Sequence, residues 1–180
     1  MKYYISDLHF GHSNVIRFDR RPFTNVDEMD SKMIELWNMK VSPEDDVYIV
    51  GDICCRNSKP PHLYLAQLTG HKHLVLGNHD TVVLKDKHCG KFLESINQMA
   101  FISDEDKVIT LCHYPICDWY KARHGSWLIY GHIHNKRGDV YEFMKTKEHA
   151  LNAAACINGY VPVSFDELVH NNLVFQNTIK

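Results

Sequence analysis

Five short apolar runs of this 180-residue chain each stop at a side chain able to bind a metal ion. Asp7 and His9 follow residues 2–6, and Asp52 follows 47–51. Asn78 and His79 follow 73–77, His113 follows 108–112, and His132 and His134 follow 127–131. One polar residue at a strand end means little, because strands have to end. Five in succession, all delivering Asp, Asn or His, describe one site assembled along the rim of a sheet, with the chemistry of a two-metal hydrolase.

Spacing sharpens that reading. Asp7 and His9 are two apart, so in extended backbone both side chains share a face, and His132 and His134 repeat the relation. Asp52 has two oxygens that can bridge two cations, Asn78 offers a neutral amide oxygen, and His113 adds an imidazole. Two divalent cations about 3.5–4 Å apart would hold phosphate-ester oxygens, offset their charge and lower the pKa of a bridging water. The leaving oxygen then needs a proton donor. His79 is the candidate general acid, with Asp80 placed to hold its other ring nitrogen.

Each residue has a plainer reading beside it. Asp52 could cap a helix, Asn78 could be a turn residue after Gly77, His113 a packed strand end, and His132 and His134 hairpin surface. His12 could reach the phosphate or serve a structural role beside Gly11. Arg56 could clamp phosphate bidentately or form a surface ion pair. Trp119 and Tyr120 could stack on a base or aryl group, although core or lid packing suits them better.

The elements that must position these residues alternate between strand and helix. Residues 24–40 read as a helix, because Asn25 can cap it with Glu28 three residues on, and Val26, Met29, Met33, Leu36 and Trp37 share one face. A second helix spans about 60–68, with proline in its first turn and Gly70 just past its end. Ser164-Phe165-Asp166-Glu167 is a capping box that predicts a short helix over 165–170, and 173–179 reads as a closing strand. Residues 114–126 lack a clear period and read as a loop over the site.

Composition bounds the rest. The length suits one domain, residues 1–180, and 44% hydrophobic with 23% charged residues is ordinary for a globular chain. A net charge of −2 without a Lys/Arg run argues against a dedicated nucleic-acid surface. No apolar stretch approaches the roughly 20 residues that span a bilayer, and the chain opens directly into a strand, so a cytoplasmic location is expected. The six cysteines show no C-x2-C pair and read as buried free thiols. Oligomeric state is not legible.

Taken in order, Asp7-Leu8-His9, Gly51-Asp52, Gly77-Asn78-His79-Asp80, His113 and Gly131-His132-Ile133-His134 resemble the motif series of the calcineurin-like metallophosphoesterases. The Asp7–His12 stretch and Arg20-Arg21-Pro22-Phe23 look like small bacterial and phage members. The resemblance implies an α/β fold, a four-layer α-β-β-α sandwich of two mixed β-sheets. It also implies one metal on Asp7, His9, Asp52 and His134, and a second on Asp52, Asn78, His113 and His132. Mn²⁺ is the first choice, and Fe or Zn²⁺ also suits these ligands. The expected activity is hydrolysis of small phosphomonoesters or phosphodiesters, nucleotides among them. The alternatives are a non-catalytic scaffold of the same fold, which would need no His79, and a nuclease, which would want an electropositive groove. Two departures stand out. Cys54-Cys55-Arg56-Asn57 and Asp80 replace runs found in the family's protein phosphatases, and Asn152-Ala153-Ala154-Ala155-Cys156 replaces a segment that ends in aspartate in relatives of similar size.

Overall fold

In the computed structural model, residues 1–178 apart from residue 57 are described. The chain runs β1 (Lys2–Ile5), α1 (Ser13–Asp19), α2 (Val26–Lys40), β2 (Asp46–Val50), α3 (Pro61–Leu65), β3 (His71–Val75), α4 (Thr81–Lys85) and β4 (Ser95–Asn97). It continues with β5 (Met99–Asp104), β6 (Lys107–Cys112), β7 (Trp127–Tyr130), α5 (Asp139–Lys145), β8 (Ala150–Asn152) and α6 (Phe165–Asn177).

The strands form two four-stranded sheets, ordered β1-β2-β3-β4 and β5-β6-β7-β8. The first is parallel throughout, and the second mixes an antiparallel β5–β6 pair with parallel β6–β7 and β7–β8 pairs. Alternation along the strands assigns the layers. Tyr3, Ile5, Val47, Ile49 and Leu74 point one way and pack with Met29, Met33 and Trp37 of α2 and Leu65 of α3. Tyr4, Val50 and Val75 point the other way and meet Ile109, Leu111, Ile129 and Leu151 of the second sheet. Leu128, Tyr130 and Ala150 turn outward onto Met144 of α5. Helices, sheet, sheet and helix therefore stack as four layers. No described helix is long and apolar enough to cross a membrane.

Local chemistry explains most element ends. Asn25 caps α2 by accepting from the Glu28 amide at 2.9 Å, and the Ser164/Glu167 capping box opens α6. Proline at the start of α3 fits an expected helix that closes earlier, at Leu65 rather than 68. Helix α1 lacked a legible signal, and its preceding residue His12 makes no side-chain cap bond. The expected strand over 173–179 is helical through Asn177, with residue 179 outside the described set. The helix persists because Asn172 is buried, donating to Leu168 O one turn back and exchanging bonds with Asn152 of β8. Of the cysteines, Cys54, Cys89 and Cys112 are buried and Cys55 and Cys156 half-buried, whereas Cys117 is exposed; all six are free.

Candidate metal centre

The carboxyl ends of β1, β2, β3, β6 and β7 meet, and the loops leaving them are laced together. The amides of Asp7 and His9 donate to Gly51 O and Asp52 O, and Gly131 donates to His113 O. Gly51 has φ +90°, and a Cβ there would strike the His113 ring. A Cβ on Gly131 would lie 2.5 Å from Ser6 Oγ and 2.6 Å from Asp7 Oδ2. The backbone thus approaches the site more closely than any side-chain-bearing residue allows.

Strain marks the same place. Asp7, His9, Asp52, His132 and His134 all have positive φ, a conformation that costs non-glycine residues about 1–3 kcal/mol each and persists only where surroundings enforce it. This corrects one expectation. The Asp7/His9 and His132/His134 pairs do not share a face through extended backbone. They converge through left-handed turns just beyond their strands.

The seven side chains fall into two groups joined by Asp52. In the first, His9 Nε2 and His134 Nε2 stand 3.1 Å apart, with Asp7 Oδ1 3.3 Å from His134 Nε2. In the second, Asn78 Oδ1 lies 3.2 Å from His113 Nε2 and 2.9 Å from His132 Nδ1. Asp52 Oδ2 sits between them, 3.7 Å from His9 Nε2 and 3.5 Å from His113 Nε2. Donor atoms of Asp7, His9 and His134 all lie within 4.8 Å of one another, as do those of Asp7, Asp52 and His113.

The hydrogen-bond directions test whether cations fit. His113 Nδ1 donates to Val50 O at 2.9 Å, and His134 Nδ1 donates to Asp19 Oδ2 at 2.7 Å. In a neutral ring, that leaves each Nε2 with a lone pair aimed at further acceptors. Such converging lone pairs repel unless a cation sits among them, and buried carboxylates with neutral imidazoles suit one. Burial pushes the Asp7 carboxyl up and the His9 imidazole strongly down. It opposes protonation of His134 too, but the Asp19 bond and the Asp7 charge outweigh it and raise that pKa. Buried carboxylates and imidazoles of this kind are donors that suit a divalent metal ion.

Behind His134 lies a support that sequence reasoning missed. Arg21, with its side chain fully buried, donates through Nε and Nη2 to Asp19 Oδ2 at 3.2 and 3.0 Å. It also donates to Leu8 O at 2.8 Å and Asp7 O at 2.9 Å. Burial works against ionised Asp19, yet the His134 bond and charge and then Arg21 hold its pKa down. The Asp19–Arg21 spacing in the sequence could have flagged a pair, but nothing there linked it to His134. Cys156 clusters with Asp19 and His134 behind the centre.

The remaining candidates are placed as follows. The His79 side chain is 43% exposed at the rim, its Nε2 4.0 Å from Asp52 Oδ2, and its backbone N–H donates to Asp52 Oδ1 at 2.8 Å. Asp80 does not orient the His79 ring. Its two oxygens accept from the amides of Asp52, Ile53 and Gly77 at 2.8–2.9 Å, which ties the β2 and β3 loops together. The His12 ring packs 5.5 Å from His9, half-buried at the edge of the centre. Arg56 is exposed in the turn beyond Cys55. Trp119 packs beside the second sheet and donates to Ser126 O, and Tyr120 rests on Phe101. Of the 114–126 loop, Tyr114 and Pro115 border the site, beside His132.

The chain is similar to known proteins in sequence and in fold. A family model described as calcineurin-like phosphoesterase matches residues 3–154. An uncharacterised protein of Methanocaldococcus jannaschii is 33% identical over 169 residues, covering 93% of this chain and 88% of its own. The gene 66 protein of Mycobacterium phage L5 is 27% identical over 160 residues, covering 74% and 77%. The crystal structure of a protein of unknown function from Aquifex aeolicus superposes with a TM-score of 0.73 at 25% identity, covering 94% of this chain and 98% of that one.

Proposed function

The chain belongs to the calcineurin-like phosphoesterase family, and from that premise we propose that it hydrolyses small phosphomonoesters or phosphodiesters at a paired-cation centre. Asp7, His9, Asp52 and His134 would hold one divalent ion, and Asp52, Asn78, His113 and His132 a second. Mn²⁺ is the first choice by family resemblance, and Fe or Zn²⁺ is compatible with these donors. When bound, the ions supply Lewis acidity to phosphoryl oxygens and acidify water toward a nucleophile near neutral pH.

The protein's own part is positioning and proton transfer. Two Nε2 lone pairs, on His113 and His134, are fixed by bonds on the opposite ring nitrogens and turned toward Asp52 and Asp7; this observation carries the proposal. Asp52 lies between the groups as the shared carboxylate. His79, anchored through its backbone to that carboxylate and open to solvent, holds the proton that passes to the leaving ester oxygen. Asp80 keeps the loops carrying Asp52 and Asn78 in register.

The test is turnover of a panel of phosphomonoesters, cyclic nucleotides and diesters before and after chelation. Activity should vanish on chelation and return with Mn²⁺. Turnover that survives dialysis against excess chelator would rule the proposal out.

A further inference from the structure

His132 has a second neighbourhood besides the candidate metal centre. It shares with Tyr114 the wall of a cavity of about 630 Å³, whose lining also includes Ile133, Lys136, Asp139 and Val140. Small-molecule sites run to roughly 300–1,000 Å³, far more than a phosphate group alone requires. Tyr114 is 46% exposed, although a large aromatic ring ordinarily gains by burial. Its ring is braced by His132 at 4.7 Å and His113 at 5.2 Å between centroids, so its position is fixed relative to the centre.

The polar groups narrow the occupant. Among the described residues Lys136 forms no ion pair, and it faces an otherwise largely apolar wall. Asp139 on the same cavity disfavours a second highly charged phosphate but can accept from hydroxyl or amino groups. A lipid chain would leave both groups without partners. A planar heteroaromatic ring joined to a hydroxylated sugar matches all three features. Trp119 and Tyr120 do not compete for this role, being turned to the core and to Phe101 in keeping with their expected packing.

Resting on the phosphoesterase reading, we propose that this cavity receives the nucleoside part of a nucleotide substrate, its base against Tyr114 and its polar groups within reach of Lys136 and Asp139. The inference can be separated from the chemistry by comparing adenosine 5′-monophosphate with ribose 5-phosphate. Both present the same primary alkyl ester, and only one carries a base. With Mn²⁺ added, kcat/KM should favour the nucleotide by about tenfold or more, the scale of one base–aromatic stack. Tyr114→Ala should shrink that ratio toward one, and Tyr114→Phe should keep it. Lys136→Met should lower nucleotide kcat/KM severalfold. A ratio near one in the wild type, or an equal loss on both esters in Tyr114→Ala, would overturn the proposal.

Calorimetric titration of both compounds into the Mn²⁺-loaded protein gives a second arm. If neither monoester is turned over, the hydrolase reading is left to the wider ester panel, and binding alone decides the subsite. Nucleotide preference lost in Tyr114→Ala supports it, and equal binding overturns it. Should Tyr114→Ala fail to fold, the wild-type ratio and Lys136→Met still decide.

Discussion

Asp19 accepts the Nδ1 proton of His134 at 2.7 Å while Arg21 holds it from the other side, so the His134 ring presents Nε2 to Asp7 and His9 in a fixed orientation. Such carboxylate supports typically contribute 10–100-fold to metal affinity. Asp19→Asn should therefore weaken Mn²⁺ binding by about that factor in calorimetry, with the far-UV circular dichroism unchanged. Affinity within twofold of wild type would show that Asp19 is only packing. His79→Asn should leave metal content near normal and slow alkyl esters more than esters with good aryl leaving groups, because only the former depend on protonation; equal slowing would argue against the proton-donor role. At this scale the residue types were legible in the sequence and the conformation was not. Nothing about Asp7 or His132 as letters discloses a positive φ, and the Asp80 carboxylate, read as a partner for His79, is consumed by three amides.

The elements were legible wherever a local rule sufficed. Asn25 and Ser164 announced α2 and α6 because capping depends on residues three apart. The second half of α6 was misread because its partner is distant. Asn172 accepts from the Asn152 amide at 2.8 Å and donates to Asn152 O at 3.0 Å, and Asn152 Nδ2 in turn donates to His134 O at 2.9 Å. A helix thus reaches the centre through β8. Replacing Asn172 with Leu strands the buried Asn152 amide and should lower unfolding free energy by about 1–3 kcal/mol in urea titration. A change below about 0.5 kcal/mol would mean that the pair is replaced by water, and the link from α6 to His134 would lose its support.

Across the whole molecule, parallel strands place their carboxyl ends at one rim of the two sheets. That rule, with five strand ends in order carrying Asp, Asn or His, made the convergence of these side chains readable before any coordinates. The parallel first sheet and mixed second sheet then bring residues 7, 52, 78, 113 and 134 together across 127 positions of sequence (134 − 7). The layering itself followed from family resemblance, because pairing between distant strands leaves no local trace. In the proposed ligand sets Asp52 is the one side chain common to both ions, so its removal probes the paired centre most directly. Metal content by plasma emission spectrometry, after Mn²⁺ loading and desalting, should give two equivalents for the wild type and none retained by folded Asp52→Ala. Two equivalents still bound in the variant would contradict the shared centre.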